Sequence, residues 1–254
     1  MTEEAAGFEP PFWRNHPARY HRRPGNGIKA YPADLILFYF TPTENNEQAK
    51  RLFDKNIFSV TRQLRYAIDA SKLALDLCLF INGLPVITIE LKNHFTGQTT
   101  ADAVEQYKKD RNPRELLFSF KRCIVHFAVD DQTVQFCTKL CGKASWFLPF
   151  NKGYHDGAGN PPNPEGIMTD YLWKDILTKT KLSRIIENYV QVVVEENPET
   201  RKKSVKQIWP RYHQLDCVEK LVADVSSTVW VNAISSSTAP GRANPIPLPG
   251  WPIS

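Results

Sequence analysis

The stretch LALDLCLFINGLPVITIELK, residues 73–92, constrains this chain more than any other. Two runs rich in aliphatic residues flank Asn82-Gly83, a dipeptide that favours a tight β-hairpin because both residues accept left-handed backbone. The runs therefore pair antiparallel, and counting from the turn fixes which charges face one another. With a two-residue loop, Asn82-Gly83, paired residue numbers add up to 165 and Asp76 faces Ile89. With a three-residue loop, Asn82-Gly83-Leu84, they add up to 166 and Asp76 faces Glu90, with Lys92 two residues further on the same face.

Directly opposed strand residues have Cβ atoms ~5 Å apart. Two carboxylates that close repel unless a cation lies between them. Mg2+, a hard ion that takes a few carboxylate oxygens and keeps some water, suits such a pair. Asp76 and Glu90 are therefore candidate metal ligands. Lys92 is the candidate to orient a water or meet developing negative charge, the set that phosphodiester hydrolysis requires. The same spacing also fits the polar face of a half-exposed hairpin, and the residues alone leave both readings open. Ile87, Ile89 and Leu91 read as core on the opposite face.

The segment TTADAVEQYKKDR (99–111) opens on Thr caps and carries Ala103, Val104 and Tyr107 at helical spacing. Residues 107–122 hold six basic side chains against two acidic ones, Asp110 and Glu115. Such a patch beside a metal hairpin suits a DNA backbone, with Lys108, Lys109 and Arg111 as the candidate contacts; a solvated helix end is the alternative. Elsewhere DLILFYF (34–40) reads as a buried strand, 43–56 as a helix and 58–67 as partly loop. RCIVHFAVDD and TVQFCTKL form a second strand pair, with His126 a core histidine rather than a catalytic one, and Phe150 and Trp173 packing residues. Residues 151–166 form a Gly/Pro/Asn-rich loop, 169–196 a helix broken near Thr180 that ends as a strand at VQVVV, and 210–225 a further helix.

The formal net charge of +5 permits an anionic partner without requiring one. No apolar run reaches the ~18 residues of a membrane span, and no basic-then-apolar leader opens the chain. Five scattered cysteines without a CxxC pair fit free thiols in a reducing cytoplasm. A zinc site at Cys137 and Cys141 is disfavoured by the strand placement of Cys137.

The segments VTRQLRYA, LDLCLFINGLPVITIELKN, TGQTTADAVEQYKKDRNP, VHFAVDD, FLPFNKG, GAGNPPNP, YLWKDIL and PRYHQLDCVEKL occur in that order. Together, from about Gly27 to Asp224, they resemble the N-terminal nuclease region of the restriction (R, HsdR) subunit of type I restriction enzymes. The resemblance implies an α/β fold with a PD-(D/E)xK (restriction-endonuclease-like) core, a central mixed β-sheet flanked by helices. It implies Asp76 and Glu90 as metal ligands, Lys92 as the catalytic lysine and Mg2+ as cofactor. DNA and the methylation (M) and specificity (S) subunits are the implied partners, in a bacterial or archaeal cytoplasm and not at a membrane. Many relatives carry Gln-x-x-x-Tyr on the helix after the hairpin. Here Ala103 stands four residues before Tyr107 and the glutamine is Gln106, so both are accessory candidates only.

In that family an ATP-driven translocase follows the nuclease. PRYHQLDCVEKL looks like its entry helix, with Gln214 as the adenine contact of an intact motor, and ATP is expected only in the full-length family. No G-x-x-x-x-G-K-[ST] loop follows in these residues. Shifting the frame of 231–254 by one base, with suitable codons, can yield SAGTGKS, so residues 226–254 are expected to be out of frame and disordered. The organisation expected is a disordered tail at 1–24, an endonuclease domain at 25–195, a charged linker at 196–207 and the first translocase helix at 208–225. Such a fragment is expected to be weakly active or inactive alone. A free-standing PD-(D/E)xK nuclease and an inert product that keeps only the fold are the alternatives.

Overall fold

Asn82 and Gly83 close the hairpin at φ 50° and 80°, and their neighbours Ile81 and Leu84 pair directly. The loop is thus the two-residue one. The left-handed Asn82 is held from three sides: its Oδ1 accepts the Ile57 N–H (2.7 Å), and its Nδ2 donates to Leu37 O (2.8 Å) and Asn56 Oδ1 (3.0 Å). This computed structural model describes residues 37–43, 45–67, 73–201 and 203–237, with side chains to residue 227, plus the backbone of 18–19 and 34–35. The chain divides into two units, residues 1–212 and 213–254.

The first unit is an α/β fold around the hairpin. Short strands β1 (Ala18–Arg19) and β2 (Asp34–Leu35) pair antiparallel; the rest of the expected 1–24 tail lies outside the described residues. Helix α1 (Glu47–Asp54) is capped by Asn46, whose side chain accepts the Ala49 N–H. Strands β3 (Phe58–Arg65), β4 (Ala74–Ile81) and β5 (Leu84–Leu91) are successive antiparallel neighbours. Helix α2 (Thr100–Lys109) then crosses over, and β6 (Val125–Val129) returns parallel to β5. Strands β7 (Val134–Cys137) and β8 (Leu148–Pro149) complete a six-stranded mixed sheet in the order β3-β4-β5-β6-β7-β8.

Two apolar layers cover the sheet. Leu75 and Cys78 of β4 and Ala128 of β6 lie with Ala103, Val104, Tyr107 and Phe118 in one buried cluster under α2. Phe127 belongs to the other, ringed by Phe150 (5.6 Å between centroids) and Trp209 (5.7 Å). Each such fully buried side chain contributes about 1.5–3 kcal/mol over its exposed state. A wide turn at Leu172–Ile176, α3 (Lys179–Asn188) and the hairpin of β9 (Gln191–Glu196) with β10 (Lys203–Ile208) follow. The second unit holds most of α4 (Tyr212–Ser237). No helix among the described residues is long and apolar enough to cross a membrane.

Four expectations need correction. Residues 37–40 are not a strand: Tyr39 satisfies its N–H and C=O on the side chain of Asn56 (3.0 and 2.7 Å) instead of on a ladder. Residues 58–65 are a full edge strand, which the lack of apolar alternation hid; most of its side chains are exposed. The charged linker over 196–207 is largely β10, paired with β9 and held by the ion pair of Lys206 with Glu195. The last helix runs to Ser237, into the stretch expected to be disordered, because no proline interrupts the chain before Pro240.

Candidate functional site

The hairpin starts in the register that turns Asp76 away from Glu90 and does not keep it. Ile81 pairs with Leu84 and Phe80 with Pro85; then the register shifts, and Leu79 pairs with Ile87, Cys78 with Thr88 and Leu77 with Ile89. Val86 is the extra residue, a β-bulge beside a proline that cannot donate to the ladder. Continued, the shifted register places Asp76 across from Glu90. The expected opposition therefore exists, produced by a bulge in β5 and not by a three-residue loop. Asp76 Oδ2 accepts the Leu91 N–H (2.9 Å), which fixes its carboxylate beside Glu90. Its Oδ1 accepts from Gln63 Nε2 (3.0 Å).

Gln63 is itself at φ 49°, left-handed in the middle of an edge strand. Such backbone costs of order 1–3 kcal/mol for a non-glycine residue and clusters at functional sites.

Glu90 is fully buried, at 0 % exposure. The expected polar half-exposed face is in fact covered by α2 and the residues after it, so Thr88 and Glu90 are as buried as Ile87 and Ile89, while Leu91 is exposed. Glu90 Oε1 accepts from Arg111 Nε at 2.6 Å. Among the described residues, its Oε2 is buried with no donor. Burial pushes the carboxyl up to about 7 against the pull of the Arg111 guanidinium, and the nearby Asp76 carboxylate pushes the same way. An orphaned buried oxygen beside a second carboxylate is the donor set a hard divalent cation fits, so Asp76 and Glu90 suit Mg2+.

Lys92 is half-buried and shares the face of Glu90. Its Nζ donates to Gln106 Oε1 on α2 (2.7 Å) and, among the described residues, ion-pairs with neither carboxylate. Gln106 is thus the residue that holds the lysine, despite its displaced place in the sequence. Tyr107 is elsewhere: fully buried, its hydroxyl meets Thr88 Oγ1 (2.9 Å), which also meets His126 Nδ1 (2.7 Å). Burial lowers His126 to about 3, so it is a neutral core histidine, as expected. Phe150 is buried, whereas Trp173 lines a surface cleft with Lys92, Asn93 and the fully jutting Phe95.

Arg111 is not a DNA contact. It lies 2 % exposed in the ion pair with Glu90, because the chain turns under β4 directly after α2. Lys108 and Lys109 stay on the outer face of α2, each within reach of Glu105 (3.9 and 3.0 Å). Gln214 is on the exposed part of α4, in the second unit. A second trio, His94, Asp130 and Asp131, gathers at the end of β6. There Asp130 already accepts from the N–H groups of Thr100, Gln132 and Thr133 (2.7, 2.8 and 2.6 Å), bracing α2 and a turn. Arg111 and Gln63 are what reading the sequence missed. The charge of one suggested DNA, and the other lay in a stretch read as loop.

A mixed sheet that crosses over through α2 and sets an Asp and a Glu together beside a Lys is a restriction-endonuclease-like core. Residues 37–144, which span β3 to β7, match the family described as the type I restriction enzyme R protein N terminus. Over those residues the chain is similar to that family. None of the curated proteins compared with the chain matches it.

Proposed function

We propose that this core is a Mg2+-dependent DNA endonuclease domain, the nuclease part of a type I restriction R subunit that acts with M and S subunits. The observation that carries the reading is Glu90 Oε2, buried and, among the described residues, without a donor beside Asp76 at a bulge that brings the two together. Asp76 and Glu90 would hold the ion. Bound there, Mg2+ supplies charge neutralisation at a phosphate and acidifies water. Lys92, steadied by Gln106, supplies a positive charge to the phosphate oxygens as negative charge develops on them. The burial of Glu90 keeps bulk water from screening these charges. Lys108 and Lys109, on the outer face of α2, are the basic side chains left to meet the DNA backbone.

Relaxation of supercoiled plasmid in Mg2+ tests this. The whole chain is expected to nick weakly, and Glu90→Ala and Lys92→Ala to lower the rate at least a hundredfold, on the order lost when a transition-state donor is removed. Nicking that survives both substitutions, or that proceeds equally in EDTA, overturns the proposal.

A further inference from the structure

Arg111 takes no part in the chemistry above, yet it is built into the site more firmly than the proposed ligands. Its Nε donates to Glu90 Oε1 (2.6 Å), its Nη1 to the Tyr66 hydroxyl (2.9 Å) and its Nη2 to the Ala74 carbonyl (2.8 Å). The guanidinium also sits 5.5 Å from the centre of the Tyr66 ring. A planar fork with several fixed donors leaves its target little rotational freedom. Ala74 lies two residues before Asp76 on β4, so one side chain ties the strand of Asp76 to the carboxylate of Glu90. Asp76 is fixed in its turn by Leu91 and Gln63 (2.9 and 3.0 Å). Among the described residues, Glu90 Oε2 is the one of the four carboxylate oxygens left without a donor.

We propose that Arg111 is a positioning residue for the metal site: by occupying Oε1 of Glu90 it commits Oε2 to a divalent cation. The proposal rests on the reading of Asp76 and Glu90 as cation ligands. A buried guanidinium that served the fold alone would brace the sheet just as well with either carboxylate oxygen free. Here the bond to one oxygen decides the direction of the other, and partners of this kind that orient a ligand typically matter ten- to a hundredfold in metal affinity.

The test is Mn2+ binding to the whole chain, followed by electron paramagnetic resonance, with near-ultraviolet circular dichroism as the check on folding. Glu90→Gln serves as the blank, which removes any contribution of His94, Asp130 and Asp131. The wild type is expected to bind one ion that the blank does not. Arg111→Met should weaken that binding ten- to a hundredfold. Arg111→Lys, which keeps the charge and loses the fork, and Tyr66→Phe, which removes one anchor without touching Glu90, should weaken it by smaller factors. If Arg111→Met does not fold, the other two variants decide. Affinities within twofold of the wild type in the folded variants overturn the role of Arg111 while leaving the metal site standing. A wild type that binds no more Mn2+ than Glu90→Gln overturns the metal site, and the role of Arg111 with it.

Discussion

Two buried groups a few residues from each other in space, Glu90 and His126, pull the stability of the ion-free protein in opposite directions as pH changes. The Glu90 carboxyl titrates near 4.5 unfolded and near 7 folded. Between those values the folded state holds a proton that the unfolded state has lost, so stability falls as pH rises, by about 1.4 kcal/mol per unit. His126 titrates near 6.5 unfolded and near 3 folded. Between those values the unfolded state holds the extra proton, and stability rises with pH. From pH 4.5 to 6.5 the two slopes largely cancel. Replacing Glu90 by Gln removes one of them. Urea denaturation in EDTA should then show the variant gaining stability over the wild type steadily from pH 4.5 to 7 and no further above it; parallel curves would mean that Glu90 is ionised throughout. Gln106 makes a different prediction at the same scale. Gln106→Ala frees Lys92 Nζ, so plasmid nicking should fall on the order of ten- to a hundredfold. Mn2+ affinity should stay unchanged, since no carboxylate is touched.

The hairpin is the element on which the site depends, and its turn does more than reverse the chain. Asn82 tolerates φ 50° and uses its amide to hold Ile57, Leu37 and Asn56. Asn82→Ala loses these bonds and keeps a strained backbone, so it should cost about 2–3 kcal/mol in urea denaturation. Gly83→Ala meets no neighbouring atom but sits at φ 80°, and should cost about 1 kcal/mol. An Asn82→Ala loss below half a kcal/mol would show that the turn does not brace these segments. This element also marks how far the sequence could be read. The turn dipeptide and the two strands were legible because period-2 patterning and turn chemistry are local, whereas the opposition of Asp76 and Glu90 was one of two registers that the residues left open. The bulge at Val86 was not: an extra residue can be absorbed in a loop or in a strand, and counting cannot tell which. Strand β3 was illegible for a related reason. As an edge it buries little and so carries no apolar alternation, although its Gln63 reaches the site. The burial of Arg111 was out of reach too, since a guanidinium after a basic helix end looks the same whether it meets water or a carboxylate 21 residues away.

Across the whole chain the two units differ in how they use apolar surface. In the first, both sheet faces are covered, by α2 on one side and by Phe150, Trp209 and Tyr171 on the other. Even the segment read as a linker is fastened there: Gln207, on β10, donates its amide to the Cys123 carbonyl at 2.9 Å. In the second, α4 presents Val218, Leu221, Val222 and Val225 at helical spacing, each between 40 and 61 % exposed. Apolar side chains recurring at that interval on one exposed face drive association rather than folding. Tyr212 closes the first unit by packing on Phe150 and Tyr171 (5.9 and 5.2 Å between ring centres). A chain ending after Tyr212 therefore retains the aromatic layer, the sheet and the candidate site. It should bind Mn2+ with the same affinity and nick plasmid at the same rate, while eluting as a sharper monomer in gel filtration; its melting midpoint should fall by several degrees, because the buried Leu215 is lost. A cut after Ile208, which removes Trp209 as well, should lower the midpoint by roughly a further 6–20 degrees, because losing a buried Trp costs about 3–5 kcal/mol and each kcal/mol shifts the midpoint of a chain this size by about 2–4 degrees. Equal melting of the two shortened chains would place the limit of the folded unit before Trp209.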